Sequence, residues 1–317
     1  MVRDMSKKTL DKPILLIALG GNALIRKGQF GTVTEQFKNL KNPISQIARL
    51  SKTYRIIITH GNGPQVGNLL LQQECCKDVP KLPLEILVAQ TEGQIGYMIE
   101  STLDSELMQL GILFRPLVSL ITYVVVDRKD LAFDNPTKPI GPVFTKEEAA
   151  KLDYPCIETA KGFRRVVASP PPLTIIEKKE IKQLIELDFI VICCGGGGIP
   201  VIREGRAFQG VDAVIDKDLV SSRLAQEVGC DIFLIATDEA GVMLNYNTPD
   251  QRLVSRLNVE KTEQYLIEGH FPEGSMEPKV VAAKEFVASS GKRAVITHIA
   301  TIEQAVLCAN AGTEFVP

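Results

Sequence analysis

The sequence predicts an α/β fold in which a mainly parallel sheet carries helices on both faces, and three observations lead there. Apolar runs of strand length recur at 14–19, 55–59, 117–126, 189–194, 232–236 and 293–298. Such runs suit strands buried on both faces. Segments with helical spacing lie between and after them, at 34–50, 64–73, 93–110, 177–187, 217–228, 259–268 and 278–289. Strands that alternate with crossovers of this length pair in parallel, and ligands then gather at their carboxyl ends. The third observation is an interruption: residues 127–172 are rich in proline, charge and short irregular pieces. That is too long for an ordinary connection inside a compact domain, so it is expected to form a protruding subdomain or lid. The prolines at 170–172 make a stiff return into the body of the fold. A lobe boundary is expected between about 211 and 222, where a glycine and hairpin region gives way to a new helix.

Composition narrows the function classes. With 45% hydrophobic and 23% charged residues, the 317-residue chain carries enough apolar side chains for a full core. A formal net charge of -2 supplies no global basic field, which argues against nucleic acid as a partner and leaves phosphate affinity to local groups. No apolar run reaches the roughly 18 residues that a membrane span needs. Residues 1–12 lack the apolar core of a signal peptide, so no membrane partner and a cytoplasmic location are expected. The seven cysteines are odd in number and show no C-x-x-C spacing, which fits reduced structural thiols. Only His60, His270 and His298 are present and no H-E-x-x-H pattern surrounds them, so no protein-held metal is expected. His60 and His270 read as hydrogen-bonded structural residues.

Three glycine clusters and three lysines carry the chemistry. Gly20, Gly21 and Asn22 follow the first strand, and Gly61, Asn62 and Gly63 follow the second, with Pro64 suited to a helix start. Glycines there let backbone N–H groups approach an anion; a tight strand-to-helix turn accounts equally well for either cluster alone. Gly195, Gly196 and Gly197, followed by Gly198, form the third cluster, a run whose entropic cost a plain loop rarely retains. The segment 61–67 approaches a dinucleotide fingerprint but continues into a glutamine-rich helix without the acidic residue that fingerprint requires, and no Walker A pattern occurs. Lys138 lies in Asn-Pro-Thr-Lys-Pro, Lys217 between Asp216 and Asp218, and Lys279 after Gly-Ser-Met-Glu-Pro. Ammonium groups of this kind neutralise phosphoryl oxygens. The Asp-Lys-Asp carboxylates at a helix start could orient Lys217, hold magnesium through water, or only cap the helix. Ser275 is expected to cap the helix that carries Lys279. Thr237 and Asp238 follow the strand 232–236 and face the ligand crevice, with Tyr246 able to pack beside a base.

Taken in order, these segments resemble the carbamate kinases of the amino acid kinase family. The matching motifs are A-L-G-G-N-A-L at 18–24, T-H-G-N-G-P-Q-V-G-N-L-L-L-Q at 59–72, N-P-T-K-P-I-G-P at 135–142, C-G-G-G-G-I-P-V at 194–201, G-V-D-A-V-I-D-K-D-L at 210–219, and G-H-F-x-x-G-S-M-x-P-K-V at 269–280. The resemblance implies a three-layer α-β-α sandwich around an open sheet of about eight strands, and a homodimer. It implies an amino-terminal acceptor lobe at 13–215, preceded by an extension at 1–12 and including the lid at 127–172, and a nucleotide lobe at 216–317. ATP or ADP, with Mg2+ carried by the nucleotide, would react with carbamate or carbamoyl phosphate. By the same resemblance the first two glycine clusters line the acceptor and the migrating phosphoryl group, and Lys138 reaches in from the lid. Lys217 bridges the transferred group, Asp216 orients that lysine, and Lys279 holds the nucleotide phosphates. Thr237, Asp238, Tyr246 and Met276 surround the nucleotide.

Carbamate already carries an ionised oxygen, so such a reaction needs in-line placement and charge neutralisation without a general base. The chain departs from the family pattern at Glu92 and Gln94, in a shortened stretch at 158–165, and at Glu277. The first two departures fall on the acceptor side. The competing expectations are therefore a related kinase acting on another small carboxylate, and a nucleotide-binding regulator without turnover.

Overall fold

The computed structural model describes residues 12–75, 78–113, 115–159, 162–246, 248–272, 274–308 and 311–317. The expected extension 1–12, apart from its last residue, lies outside the described residues, as do Cys76, Ala160 and Lys161. Eight strands form the central sheet in the order Arg256–Asn258, Thr313–Val316, Arg293–His298, Ile232–Thr237, Ile14–Leu19, Arg55–His60, Ile190–Ile192 and Leu117–Ser119. Every neighbouring pair is parallel except Arg293–His298 with Thr313–Val316. The sheet is thus the expected mainly parallel one, with a single antiparallel pair near one edge.

Its central strands show why. All six residues of Ile14–Leu19 are buried, and they divide by parity: Ile14, Leu16 and Ala18 join one hydrophobic cluster while Leu15, Ile17 and Leu19 join the other. Ile232–Thr237 repeats the division, with Phe233 and Ile235 on the first side and Ile232, Leu234 and Ala236 on the second. Successive side chains of a strand point to opposite faces, so a continuous apolar run is stable only where helices cover both. Leu40, Ile44 and Ile47 of helix Val33–Leu50 and Ile95, Ile99 and Leu103 of helix Leu84–Gln109 cover one face. Ile181, Leu224 and Phe286, from helices Lys178–Glu186, Lys217–Val228 and Glu277–Ser290, cover the other. Phe286 meets Phe233 edge-on with ring centroids 5.6 Å apart.

Two expected elements change. The apolar run 117–126 splits: Leu117–Ser119 stays in the central sheet, whereas Tyr123–Val125 joins a separate four-stranded sheet with Ala207–Gly210, Ile199–Glu204 and Thr174–Ile175. Thr122 sits at the break, where its buried hydroxyl donates to Glu92 Oε1 at 2.8 Å and accepts from the Cys194 N–H at 2.7 Å. The helix expected at 93–110 starts much earlier, as Leu84–Gln109. Gly96 inside it is a packing residue, since a Cβ there would lie 2.7 Å from Ser119 Oγ.

Residues 127–172 do hold a sheet of their own, three antiparallel strands Lys138–Phe144, Gly162–Val167 and Cys156–Thr159. Ile140 and Val167 of that sheet share a small apolar cluster with Val66 and Leu70 of helix Gly63–Cys75. Lys138 is its first strand residue, opposite Val167. This packing fixes where Lys138 begins its reach toward the central sheet.

Candidate active site

Because Ile14–Leu19, Arg55–His60 and Ile232–Thr237 run in parallel, the segments that follow them emerge on one edge of the sheet. Gly20 leaves its strand with its N–H donating to the Ala236 carbonyl at 3.0 Å, and a single turn of 3-10 helix follows at Gly21–Ala23. Gly61 leaves the next strand with its N–H on the Leu19 carbonyl at 3.0 Å. A Cβ on Gly61 would stand 3.2 Å from the Gly21 nitrogen and 3.6 Å from Lys217 Cδ. The first two glycine clusters and the Lys217 stem therefore pack against one another, and a side chain at Gly61 would push them apart by a few tenths of an ångström.

The three lysines meet here through two aspartates. Lys217 and Lys279 grip opposite oxygens of Asp218: Lys217 Nζ bonds Oδ1, and Lys279 Nζ bonds Oδ2 at 2.9 Å. Lys138 Nζ, arriving from the three-stranded sheet, bonds Asp216 Oδ2 at 3.1 Å. The other Asp216 oxygen accepts the Asp218 N–H at 2.9 Å and so caps helix Lys217–Val228. Asp218 is 2% exposed. Burial alone would raise its pKa, yet the charges of Lys217 and Lys279 outweigh burial and hold it at about 2. Burial lowers Lys217, with the Lys279 charge adding to the effect against the pull of Asp218. For Lys279 burial also lowers, but the Asp218 carboxylate dominates and the net shift is upward. Two ammonium groups are thus kept close together by one carboxylate between them.

Cavities open on both sides of this cluster. One, of about 370 Å³, is lined by Gly20, Gly21, Asn22, Lys217, Thr237, Asp238, Tyr246, Met276 and Lys279. Every nucleotide-side residue expected from the sequence is therefore here, together with Glu239, Met243, Pro272 and Ser275, which the sequence reading did not assign to the ligand. Glu239 accepts the Tyr246 hydroxyl proton at 2.8 Å and so holds that ring at the rim. A second cavity, of about 580 Å³, is lined by Asn62, Gly63, Lys138, Gly141, Arg164 and the first turn of helix Gly63–Cys75. The amino-terminal end of that helix presents a partial positive charge to it.

Three expectations need correction. The resemblance made Asp216 the orienting partner of Lys217; the hydrogen-bonding partner is Asp218, because Asp216 is committed to the helix cap and to Lys138. Asp218 was visible in the Asp-Lys-Asp motif, but its choice over Asp216 depends on Lys279, 61 residues away. Ser275 does not cap: its hydroxyl bonds the Pro272 carbonyl at 3.3 Å, and Met276 occupies the cap position without a side-chain bond. Gly195, Gly196 and Gly197 line neither cavity. A Cβ would meet His60 Cε1 at 2.4 Å from Gly195, Asn62 Nδ2 at 2.0 Å from Gly196, and the Ile215 carbonyl at 2.2 Å from Gly197. Protein neighbours alone require these glycines, which form a buried floor beneath Asn62.

His60 and His270 are hydrogen-bonded, as read from the sequence. Burial, opposed by a 3.2 Å contact with the Gly61 carbonyl, drops the His60 pKa to about 4, so the ring is neutral near pH 7. His270 Nε2 lies 3.0 Å from Glu268 and its ring stands edge-on to Tyr265. Glu92, one of the departures from the family pattern, is buried beside Gly195; burial raises its pKa to about 8 although Thr122 donates two hydrogen bonds to it. Among the described residues, no group of three or more His, Cys, Asp or Glu side chains is arranged to hold a metal ion. Within those residues, also, no helix is long and apolar enough to cross a membrane.

Comparison with known proteins extends this geometry. Residues 13–298 match the sequence model of the amino acid kinase family. The carbamate kinase of Thermococcus kodakarensis is 46% identical over 314 residues, covering 95% of this chain and 98% of the relative. That of Pyrococcus horikoshii is 44% identical over 312 residues, covering 96% and 99%. The structure of the Giardia lamblia carbamate kinase bound to AMP-PNP superimposes with a TM-score of 0.90 at 38% identity, covering 96% of this chain and 99% of the other.

Proposed function

The chain belongs to the amino acid kinase family, and from that membership we infer that it catalyses reversible phosphoryl transfer between ATP and carbamate, making ATP from ADP and carbamoyl phosphate in one direction. The observation that carries the reading is the convergence of Lys138, Lys217 and Lys279, from three distant segments, on the two carboxylates of one helix start between two cavities. Nucleotide belongs in the cavity of Thr237, Asp238, Tyr246 and Met276, and the acceptor in that of Asn62, Gly63 and Lys138. Residues 13–215 would then form the acceptor lobe, with 127–172 as its lid, and 216–317 the nucleotide lobe.

Phosphoryl transfer spreads negative charge over three equatorial oxygens, and catalysis consists of alignment and neutralisation. Lys217 reaches the migrating group from the sheet edge, Lys279 meets the nucleotide phosphates, and Lys138 supplies charge from the acceptor side. Asp218 keeps the first two charged and close together, so little reorganisation remains for the reaction itself. Gly20, Gly21, Asn22, Gly61 and Asn62 border the transfer path, with the main-chain N–H groups of Gly21, Asn22 and Asn62 as donors, since those of Gly20 and Gly61 are taken by the Ala236 and Leu19 carbonyls. Carbamate attacks through an oxygen that is already ionised, in keeping with the neutral His60 beside the site. Magnesium would enter with the nucleotide substrate and supply further positive charge against its phosphates.

The reading includes a cytoplasmic homodimer. Ile86, Tyr97 and Met108 are 43%, 65% and 60% exposed and recur at three-turn intervals along one face of helix Leu84–Gln109. Exposed apolar side chains set among Gln90, Gly93, Gln94 and Asp104 suit a mixed partner surface, and light scattering giving a monomer mass would rule the dimer out. The activity is tested by incubating the protein with Mg2+, ADP and carbamoyl phosphate and following ATP with a coupled enzyme. ATP formation dependent on carbamoyl phosphate is expected; its absence, with ADP still bound by calorimetry, would leave a nucleotide-binding regulator.

A further inference from the structure

We propose that Arg164 is a second anion-binding residue of the acceptor cavity, holding the oxyanion end of carbamoyl phosphate or carbamate opposite Lys138. The inference rests on the acceptor assignment above and goes beyond it by naming a recognition group outside the lysine and aspartate cluster. Arg164 lies on strand Gly162–Val167 and lines the 580 Å³ cavity together with Lys138. Among the described residues, no acidic side chain lines that cavity.

What sets Arg164 apart is its partners. Its Nη2 donates to the Gly141 carbonyl at 3.1 Å, and its buried Nε has no partner. Other arginines whose Nε makes no hydrogen bond still face a carboxylate: Arg115 and Arg165 reach Asp188 and Asp212 through Nη2, and Arg223 Nε lies 3.5 Å from Glu227. Among the described residues, Arg164 forms no such ion pair. Burial lowers its pKa, and a half-buried guanidinium bonded to only one neutral carbonyl leaves a desolvation cost that the fold itself does not offset. A planar fork with free donors matches a carboxylate or phosphate edge in two-point fashion. Carbamoyl phosphate offers the phosphate edge and carbamate the carboxylate edge. The strand carries two arginines in succession, and their side chains diverge: Arg165 fastens the subdomain to the body through Asp212, while Arg164 turns to the cavity.

The test compares the wild type with Arg164→Met and Arg164→Lys in ATP formation from ADP and carbamoyl phosphate, with inorganic phosphate as a competing probe. Loss of a charged hydrogen-bonding pair predicts a KM for carbamoyl phosphate raised about tenfold or more in Arg164→Met. Arg164→Lys should recover part of the loss, because it keeps the charge without the fork. The KM for ADP should stay within about twofold in both, since no nucleotide-side residue is touched. Competition by inorganic phosphate against carbamoyl phosphate should weaken in parallel. Calorimetric ADP binding checks that each variant is folded, and Arg164→Lys decides the matter if Arg164→Met is not. An unchanged KM for carbamoyl phosphate in a folded variant, or equal shifts for both substrates, overturns the proposal. A wild type that makes no ATP overturns the acceptor reading instead; thermal stabilisation by phosphate, lost in Arg164→Met, then still reports on the anion site.

Discussion

Asp218→Asn is the most direct perturbation of the charge arrangement, because it removes one negative charge and keeps the side-chain shape. Asp218 bonds both Lys217 and Lys279, so the variant leaves two ammonium groups facing each other across a neutral amide. Their mutual repulsion is present in the wild type, so what the variant removes is the attraction of the carboxylate, roughly 4 kcal/mol for a charge about 4 Å away at an effective dielectric of about 20. That corresponds to about three pKa units. Burial and the Lys279 charge already lower Lys217, so the added shift falls chiefly on Lys217 and moves it toward the neutral range. A lysine with a depressed pKa is charged below that value and neutral above it. The variant should therefore lose activity progressively as pH rises from about 7 to 9, on top of a fall in kcat of about 100-fold or more at pH 7 from the weakened transition-state charge. ADP should bind at least as well, because a negative charge beside its phosphates is gone. The assay is a pH series of coupled ATP formation alongside ADP calorimetry. A kcat within about threefold of wild type, with an unchanged pH profile, would refute the argument that Asp218 maintains both charges.

Lys138→Met should reduce turnover of carbamoyl phosphate by about 100-fold or more while leaving ADP affinity within about twofold, because Lys138 lines only the acceptor cavity; steady-state kinetics and calorimetry separate the two effects. Gly196→Ala should destabilise the fold by about 3 kcal/mol or more in urea unfolding, since φ is +67 and a Cβ would meet Asn62 Nδ2 at 2.0 Å. Glu92→Gln tests the buried carboxyl, whose pKa burial raises from 4.5 to about 8. The native state keeps this proton where the unfolded chain loses it, so wild-type stability should decline between those pH values and then level off. The penalty is on the order of a few kcal/mol. The neutral amide escapes it, so the variant's advantage in thermal unfolding should grow from pH 5 to 8; a constant difference would refute the assignment.

Several features were legible in the chain itself. Continuous apolar runs such as Ile14–Leu19 can be satisfied only between two helix layers, and that alone implies the α/β class. Proline and charge between 127 and 172 marked an interruption of the strand and helix alternation, and that stretch holds a three-stranded sheet of its own. The three lysines and the first two glycine clusters stood out as residues suited to phosphate, and they do converge. The split of 117–126 was not legible, because the turn at Thr122 is imposed by Glu92, 30 residues earlier, and by the Cys194 amide, 72 residues later.

Periodicity, apolar run length and local turn chemistry act between near neighbours, so the sequence by itself determined the layers, the break at 127–172 and the set of candidate cations. Tertiary structure alone decided which carboxylate serves which lysine, that the four-glycine run is a packed floor, and that Arg164 is left with only a carbonyl. Those outcomes depend on distances between segments far apart in the chain, and electrostatic energies and steric limits change over a few ångströms that no local pattern of residues encodes.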